Sequence, residues 1–237
     1  MITIYSILIV FECRMAATEW PHDSQKWPHD SQKCKDIVRE TYAEVLEKND
    51  LETINSINEF NCEILYQINK GYGDALIQGI NHTKTKYFCI FNADGSFIAD
   101  ELKDMYELLE NNSADFVFGS RYMKNASSDD DTLITLVGNK IFTLLGNFFF
   151  SLNISDILYT YVMGNTKLAK SVNLKEKDFS LCVELPIKTK RFGYRLLSYP
   201  CHERPRIAGR KKVNAFKDGF LILLSMIKLF FFKSKIK

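Results

Sequence analysis

Tyr87-Phe-Cys-Ile-Phe-Asn-Ala-Asp-Gly-Ser96 decides how the rest of the chain is read. Tyr87 to Phe91 is a short apolar run, rich in aromatics and bounded by turn residues, which predicts a buried strand. It breaks into Asn92-Ala93-Asp94-Gly95, residues that form turns. A carboxylate at the carboxyl end of a buried strand lies where open α/β sheets hold their ligands. Its oxygens suit a hard divalent cation shared with substrate phosphates. A strand followed by Asn, Asp and Gly is also the pattern of an ordinary turn, so the neighbours carry the weight.

Upstream, Cys62 to Gln67 reads as a strand, and Asn69-Lys-Gly-Tyr-Gly-Asp-Ala-Leu-Ile-Gln-Gly79 as a Gly-rich turn opening a helix that runs to about Thr83. Gly71 and Gly73 would let backbone approach a ligand, and the helix N-terminus favours an anion. Downstream, Ala99 to Asn111 is amphipathic, with Leu102, Met105, Leu108 and Leu109 on one face. Ala114 to Gly119 is a further strand, ending in Ser120-Arg121-Tyr122. Strand, helix, strand, helix, strand over 62–122 predicts a parallel sheet with crossover helices. It brings the 67–74 loop, the 92–96 tip and Arg121 to one carboxyl edge.

The flanks are less regular. Residues 3–11 read as a first strand and 34–57 as a helix, with Ile37, Val38, Tyr42, Val45 and Leu46 at helical spacing. Between them Trp20-Pro-His-Asp-Ser-Gln-Lys26 repeats letter for letter at 27–33, an exposed insertion too short for a repeat array. Ser127 to Thr132, with three consecutive acids, reads as a solvated connection. Leu133 to Leu152 is strongly apolar, a helix packed on the sheet or lying on a membrane surface. Short elements follow at 156–170 and 179–186, then a last strand at Tyr194 to Tyr199. A helix over 213–232 contains FLILLSMIKLFFF between basic flanks, which suits an interfacial or dimer-packing role and an anionic lipid face.

Composition narrows the function classes. The 237 residues carry a net charge of +2, so bulk electrostatics calls for no nucleic-acid partner. Six cysteines without a CxxC pair fit a reducing compartment. A cytoplasmic protein, peripheral at the inner face of the membrane, is the expectation.

Five motifs occur in order: Asn69-Lys-Gly-x-Gly-x-Ala75, Phe91-Asn-Ala-Asp-Gly-Ser96, Gly119-Ser-Arg-Tyr122, Val183-Glu-Leu-Pro186 and Arg206-x-x-Gly209-x-x-Lys212. Together they resemble family 2 glycosyltransferases, in particular the dolichyl- and polyprenyl-phosphate sugar transferase-like subgroup. The resemblance implies an α/β, GT-A-like (Rossmann-related) fold, a mostly parallel sheet flanked by helices, here with a C-terminal apolar helix. It implies inverting transfer of a sugar from a nucleotide-diphosphate sugar, assisted by Mg²⁺ or Mn²⁺, to a polyprenyl phosphate or glycan acceptor.

By position, the resemblance makes Asp94 the metal- and diphosphate-facing acid, with Asn92 (where the family usually has an acid) and Ser96 as further metal ligands. Lys70, Gly71, Gly73, Asn92, Arg121, Arg206 and Lys212 become substrate-binding residues. A phosphate acceptor is already anionic, whereas a hydroxyl acceptor needs a base, for which Glu184 is the matching carboxylate; a structural acid is its other reading. The family's Pro-x-x-Asn-Glu and Asp-Asp-Gly-Ser turns are missing before Ile64. Residues 1–50 are therefore read as a divergent or rearranged segment, 51–212 as the transferase-like domain and 213–237 as helix and tail. The alternative is a catalytically impaired remnant that binds a partner or a membrane.

Overall fold

A computed structural model describes residues 7–10, 42–46, 63–92, 94–111, 113–206 and 214–232. The duplicated heptapeptide, most of the 34–57 segment and Lys212 lie outside the described residues. The chain opens with strands β1 (Ile7–Val10), β2 (Tyr42–Leu46) and β3 (Glu63–Tyr66). Helix α1 (Tyr72–His82), β4 (Tyr87–Asn92), α2 (Glu101–Glu110) and β5 (Phe116–Ser120) follow, as the alternation predicts. Then come the short β6 (Ser127–Ser128), α3 (Leu133–Phe150), β7 (Val162–Asn165) and α4 (Thr166–Ser171). Helix α5 (Leu181–Arg191), β8 (Leu196–Pro200), β9 (His202–Glu203) and α6 (Ala215–Phe231) complete it.

Seven strands form one sheet in the order β3-β2-β1-β4-β7-β5-β8, and β6 pairs with β9 in a separate ribbon. The ladders β2–β3 and β5–β8 are parallel, while β1 and β7 run antiparallel to both of their neighbours. Five strands therefore point one way and β1 and β7 the other. The α/β class and flanking helices match expectation, and the hydrogen-bonded ladders are mixed. Consecutive strands β3, β4 and β5 share a direction without being neighbours, because β1 and β2 separate the first two and β7 the last two.

One element is corrected outright. The 34–57 segment reads as a helix, yet Tyr42–Leu46 is a strand with Val45 opposite Ile7 on one side and Leu65 on the other. A five-residue run satisfies either period, and ladder bonds on both edges outweigh local spacing. The segment read as ending at Pro186 is likewise a helix that continues through that proline to Arg191.

The pleat divides β4 between two cores. Phe88 and Ile90 join Leu76, Ile80, Phe116, Leu185 and Ile187 on the side of α1 and α5. Cys89 and Phe91 join Leu102, Met105, Val117 and Tyr161 on the side of α2. Helix α3 starts at a reciprocal cap between Thr132 and Thr135. It packs against α6, and Phe149 and Phe150 meet the Phe230 ring. The outward stripe of α3, Ile134, Val137, Ile141, Leu144 and Phe148, stays in solvent, as do Phe216, Phe220, Leu224, Ile227 and Phe231 of α6. Leu144 is 68% and Phe148 77% exposed, far beyond scattered surface apolar residues. Among the described residues α3 is the one helix long and apolar enough to cross a membrane.

Candidate functional site

Because β3, β4, β5 and β8 point the same way, the segments after them leave from one edge of the sheet. Asp94 stands there, just past β4. Its Oδ1 accepts from the Ser96 backbone N–H at 3.0 Å and from Ser96 Oγ at 2.6 Å. Ser96 is 1% exposed, so it braces Asp94 and is not an open ligand. Asp94 Oδ2 faces the Arg206 guanidinium, with Nε 3.7 Å away. The same nitrogen lies 3.3 Å from Asp130 Oδ2 and makes no hydrogen bond. Of the candidates, then, Asp94, Ser96 and Arg206 come together, with Asn92 two residues before Asp94 at the end of β4.

Arg206 is delivered by a strap, residues 201–206. Backbone N–H groups of Arg204 and His202 donate to the Ser96 carbonyl at 2.9 Å and to Glu101 Oε1 at 2.8 Å. Arg204 Nη2 donates to the Phe97 carbonyl at 3.0 Å. Burial pushes the Glu101 carboxyl up to about 7, with the His202 N–H opposing. From the other side the strap pairs with β6, Ser127 opposite His202 and Ser128 opposite Glu203.

The acidic run that reads as a solvated connection is a clamp for this strap. Asp129 lies 3.1 Å from His202 Nε2, Asp130 meets Arg206, and Asp131 lies 3.4 Å from Arg121 Nη1. Asp131 also accepts from the Tyr122 hydroxyl at 2.5 Å. Three adjacent acids thus hold three different bases.

Arg121, expected to neutralise a phosphate, is turned inward. Asp156 accepts from its Nε at 2.7 Å and its Nη2 at 3.1 Å, and Glu203 from Nη1 at 3.2 Å. The Tyr159 ring lies 4.6 Å from the guanidinium carbon. Burial works against the charge, but its carboxylate partners, Asp156 foremost and Glu203 with it, together outweigh burial and Arg121 stays protonated. With three carboxylates on a buried guanidinium, its task is to join β5, the acidic run, Asp156 and the strap. Asp130, Asp156 and Glu203 lie outside the motifs; the one faint signal is that Glu203 stands three residues before the motif Arg206.

Two further expectations resolve into one internal contact. A Cβ on Gly71 would lie 2.1 Å from the Lys177 carbonyl oxygen, and one on Gly73 2.3 Å from that of Glu176. Gly71 also has φ +127°. What comes close to these glycines is the chain's own 176–178 backbone, where a ligand was expected. Glu184, 1% exposed, holds that segment: it accepts from the Lys175 N–H at 2.8 Å and the Glu176 N–H at 2.8 Å, and pairs with Lys188 at 2.6 Å. Both its oxygens are engaged, which corrects its reading as a base. Lys70 is exposed beside this turn.

The family model described as Glycosyl transferase family 2 matches residues 39–172. The chain belongs to glycosyl transferase family 2. The sheet is that of the GT-A glycosyltransferases: glucosyl-3-phosphoglycerate synthase of Mycobacterium tuberculosis superposes with a TM-score of 0.59 at 13% identity, over 82% of this chain and 70% of that one. Its complex with UDP gives 0.58 at 10% identity over the same shares. Its complex with Mn²⁺ and UDP-glucose gives 0.54 at 8%, over 80% of this chain and 66% of that one. No curated protein matches the sequence. Identities this low speak for the fold.

For a family 2 chain the acid after β4 invites the question of a divalent ion. Among the described residues no three of His, Cys, Asp and Glu cluster as a cage. Asp94 nevertheless offers Oδ2, the oxygen that Ser96 leaves open. That donor set fits a hard cation that keeps water and substrate phosphates as its other ligands.

Proposed function

We propose that this glycosyl transferase family 2 protein transfers a sugar, with inversion, from a nucleotide-diphosphate sugar to a lipid phosphate such as a polyprenyl phosphate at a membrane surface. The observation that carries this reading is the meeting of Asp94 and Arg206 at the carboxyl edge of the sheet. Asp94 Oδ2, with the side-chain oxygen of Asn92, would hold Mg²⁺ or Mn²⁺, which when bound offsets charge on the diphosphate. Arg206 lies beside it as a guanidinium matched to phosphate oxygens, as a cation placed where negative charge develops on the leaving group. Lys212 and Lys70 are assigned to substrate as supplementary cations.

The engagement of Glu184 favours a phosphate acceptor over a sugar hydroxyl, since an anionic oxygen attacks without a base. The outward apolar stripes of α3 and α6, with the basic residues at 210–212 and 233–237 flanking α6 in sequence, suit peripheral attachment to the cytoplasmic leaflet.

The test is a thermal-shift titration with UDP, GDP and their common sugars, with and without Mn²⁺. A ligand at a hundred times its Kd stabilises the fold by about 2.7 kcal/mol, which moves the melting temperature visibly. A metal-dependent shift with one nucleotide is expected. No shift at millimolar ligand would favour a second reading, the impaired remnant, which the neutral Asn92 and the missing Pro-x-x-Asn-Glu and Asp-Asp-Gly-Ser turns support. Asn92→Asp then separates the two: a working site gains Mn²⁺ affinity and a remnant does not respond.

A further inference from the structure

Arg206 is shared between two carboxylates by one nitrogen, 3.3 Å from Asp130 Oδ2 and 3.7 Å from Asp94 Oδ2, and that nitrogen makes no hydrogen bond to either. Asp94 is the acid that the proposed reaction needs for its cation. A guanidinium and a divalent ion cannot both occupy the open oxygen of one carboxylate, since like charges at contact distance repel by several kcal/mol even at the dielectric of a protein surface. Something must therefore hold the arginine back. Asp130 is built for this. Its backbone N–H donates to Ser128 Oγ at 3.3 Å, and Ser128 Oγ donates in turn to Glu203 at 2.5 Å, on the strap that carries Arg206. Its neighbours Asp129 and Asp131 are tied to His202 and Arg121, so its position along the strap is set on both sides.

We infer that Asp130 is a positioning residue: it supplies the counter-charge that lets Arg206 leave Asp94, so that the carboxylate is free for a cation while the guanidinium stays within reach of the diphosphate. The inference rests on the reading of Asp94 as the cation-holding acid. It adds a residue outside the motifs and a sequence of events in which an arriving cation takes Asp94 and the arginine turns to Asp130 and the phosphate oxygens.

Two measurements test it. The first needs no metal. In ¹⁵N-labelled protein the Arg206 Nε–H resonance, assigned by its loss in Arg206→Gln, shifts both in Asp130→Asn and in Asp94→Asn. A shift in only one of them means the arginine is not shared, and the inference falls. The second is Mn²⁺ titration followed by electron paramagnetic resonance of the free ion. Asp130→Asn raises the Mn²⁺ dissociation constant about tenfold, because the arginine collapses onto Asp94. Asp130→Asn/Arg206→Gln returns it to the wild-type value or below, and Glu110→Gln, at an acid paired with Lys86 outside this network, leaves it unchanged. An unchanged constant in Asp130→Asn, or a double variant as weak as the single one, overturns the inference. If the wild type takes up no Mn²⁺ while both resonance shifts are seen, the shared arginine stands and the metal reading of Asp94 fails.

Discussion

Two arginines leave the same edge of the sheet and meet the same acidic run, in different surroundings. Arg121 lies among Asp156, Glu203 and Asp131 at 2.7 to 3.4 Å, with the Tyr159 ring on its face. Arg206 is held by two acids at 3.3 and 3.7 Å and keeps 26% of its side chain in solvent. The first guanidinium has its donors consumed inside the protein and can only support structure. The second is met loosely and has donors to give to an incoming oxyanion. Both sit in motifs of the same kind, and only the partners tell their tasks apart.

Replacing each arginine is the most direct way to break that contrast. Arg121→Met strands Asp156 as an unpaired buried charge and costs about 3–5 kcal/mol in urea denaturation. A cost below about 1 kcal/mol would mean that the network is not the support described. Gly73→Ala comes next, since its methyl would meet the Glu176 carbonyl oxygen, a backbone atom fixed by Glu184. A loss of about 2–3 kcal/mol is expected by the same assay, and a neutral result would show that the 176–178 segment gives way.

Glu101 sharpens the picture of the strap. Its carboxyl lies above the ordinary 4.5, at about 7, so the folded state binds this proton more tightly than the unfolded one. Its contribution is fully present below the ordinary value and is lost as pH rises through about 7. Glu101→Gln removes the loss, adding roughly 3 kcal/mol above pH 7 and flattening the melting temperature between pH 5 and 8. An unchanged pH profile would place the titration elsewhere. The smallest effect on stability belongs to Arg206→Gln, within about 0.5 kcal/mol of wild type. Its consequence is read in nucleotide-diphosphate affinity by calorimetry, where a fall of about tenfold is expected for the loss of a charge-assisted contact.

Most of the fold was legible because its signals are local. Tyr87 to Phe91 reads as a buried strand from its unbroken apolar run and the turn residues after it, and Leu102, Met105 and Leu109 mark the inner face of α2. What escaped depends on partners far along the chain. Tyr42–Leu46 is a strand because β1 and β3 flank it. β7 enters between β4 and β5 from some forty residues later, a placement no period encodes. At the site, Asp94 announced itself by its turn and Arg206 by its motif. Arg121, Gly71, Gly73 and Glu184 carried equally good signals, and their neighbours turned them to internal work. Asp130 lay in a charge run, the pattern that most resembles solvated loop, until the strap seventy-odd residues later came to lie against it.

The run Asp129-Asp130-Asp131 bears on how this protein can change over time. It lies between a two-residue strand and a helix cap, where a polar loop ordinarily tolerates gain or loss of a residue. Here three successive side chains are read in frame by His202, Arg206 and Arg121. Adding or deleting one residue would pass each acid to the wrong base, leaving one arginine with the wrong partner and another with none. From Ser127 to Thr132 the length of this loop is as constrained as the core.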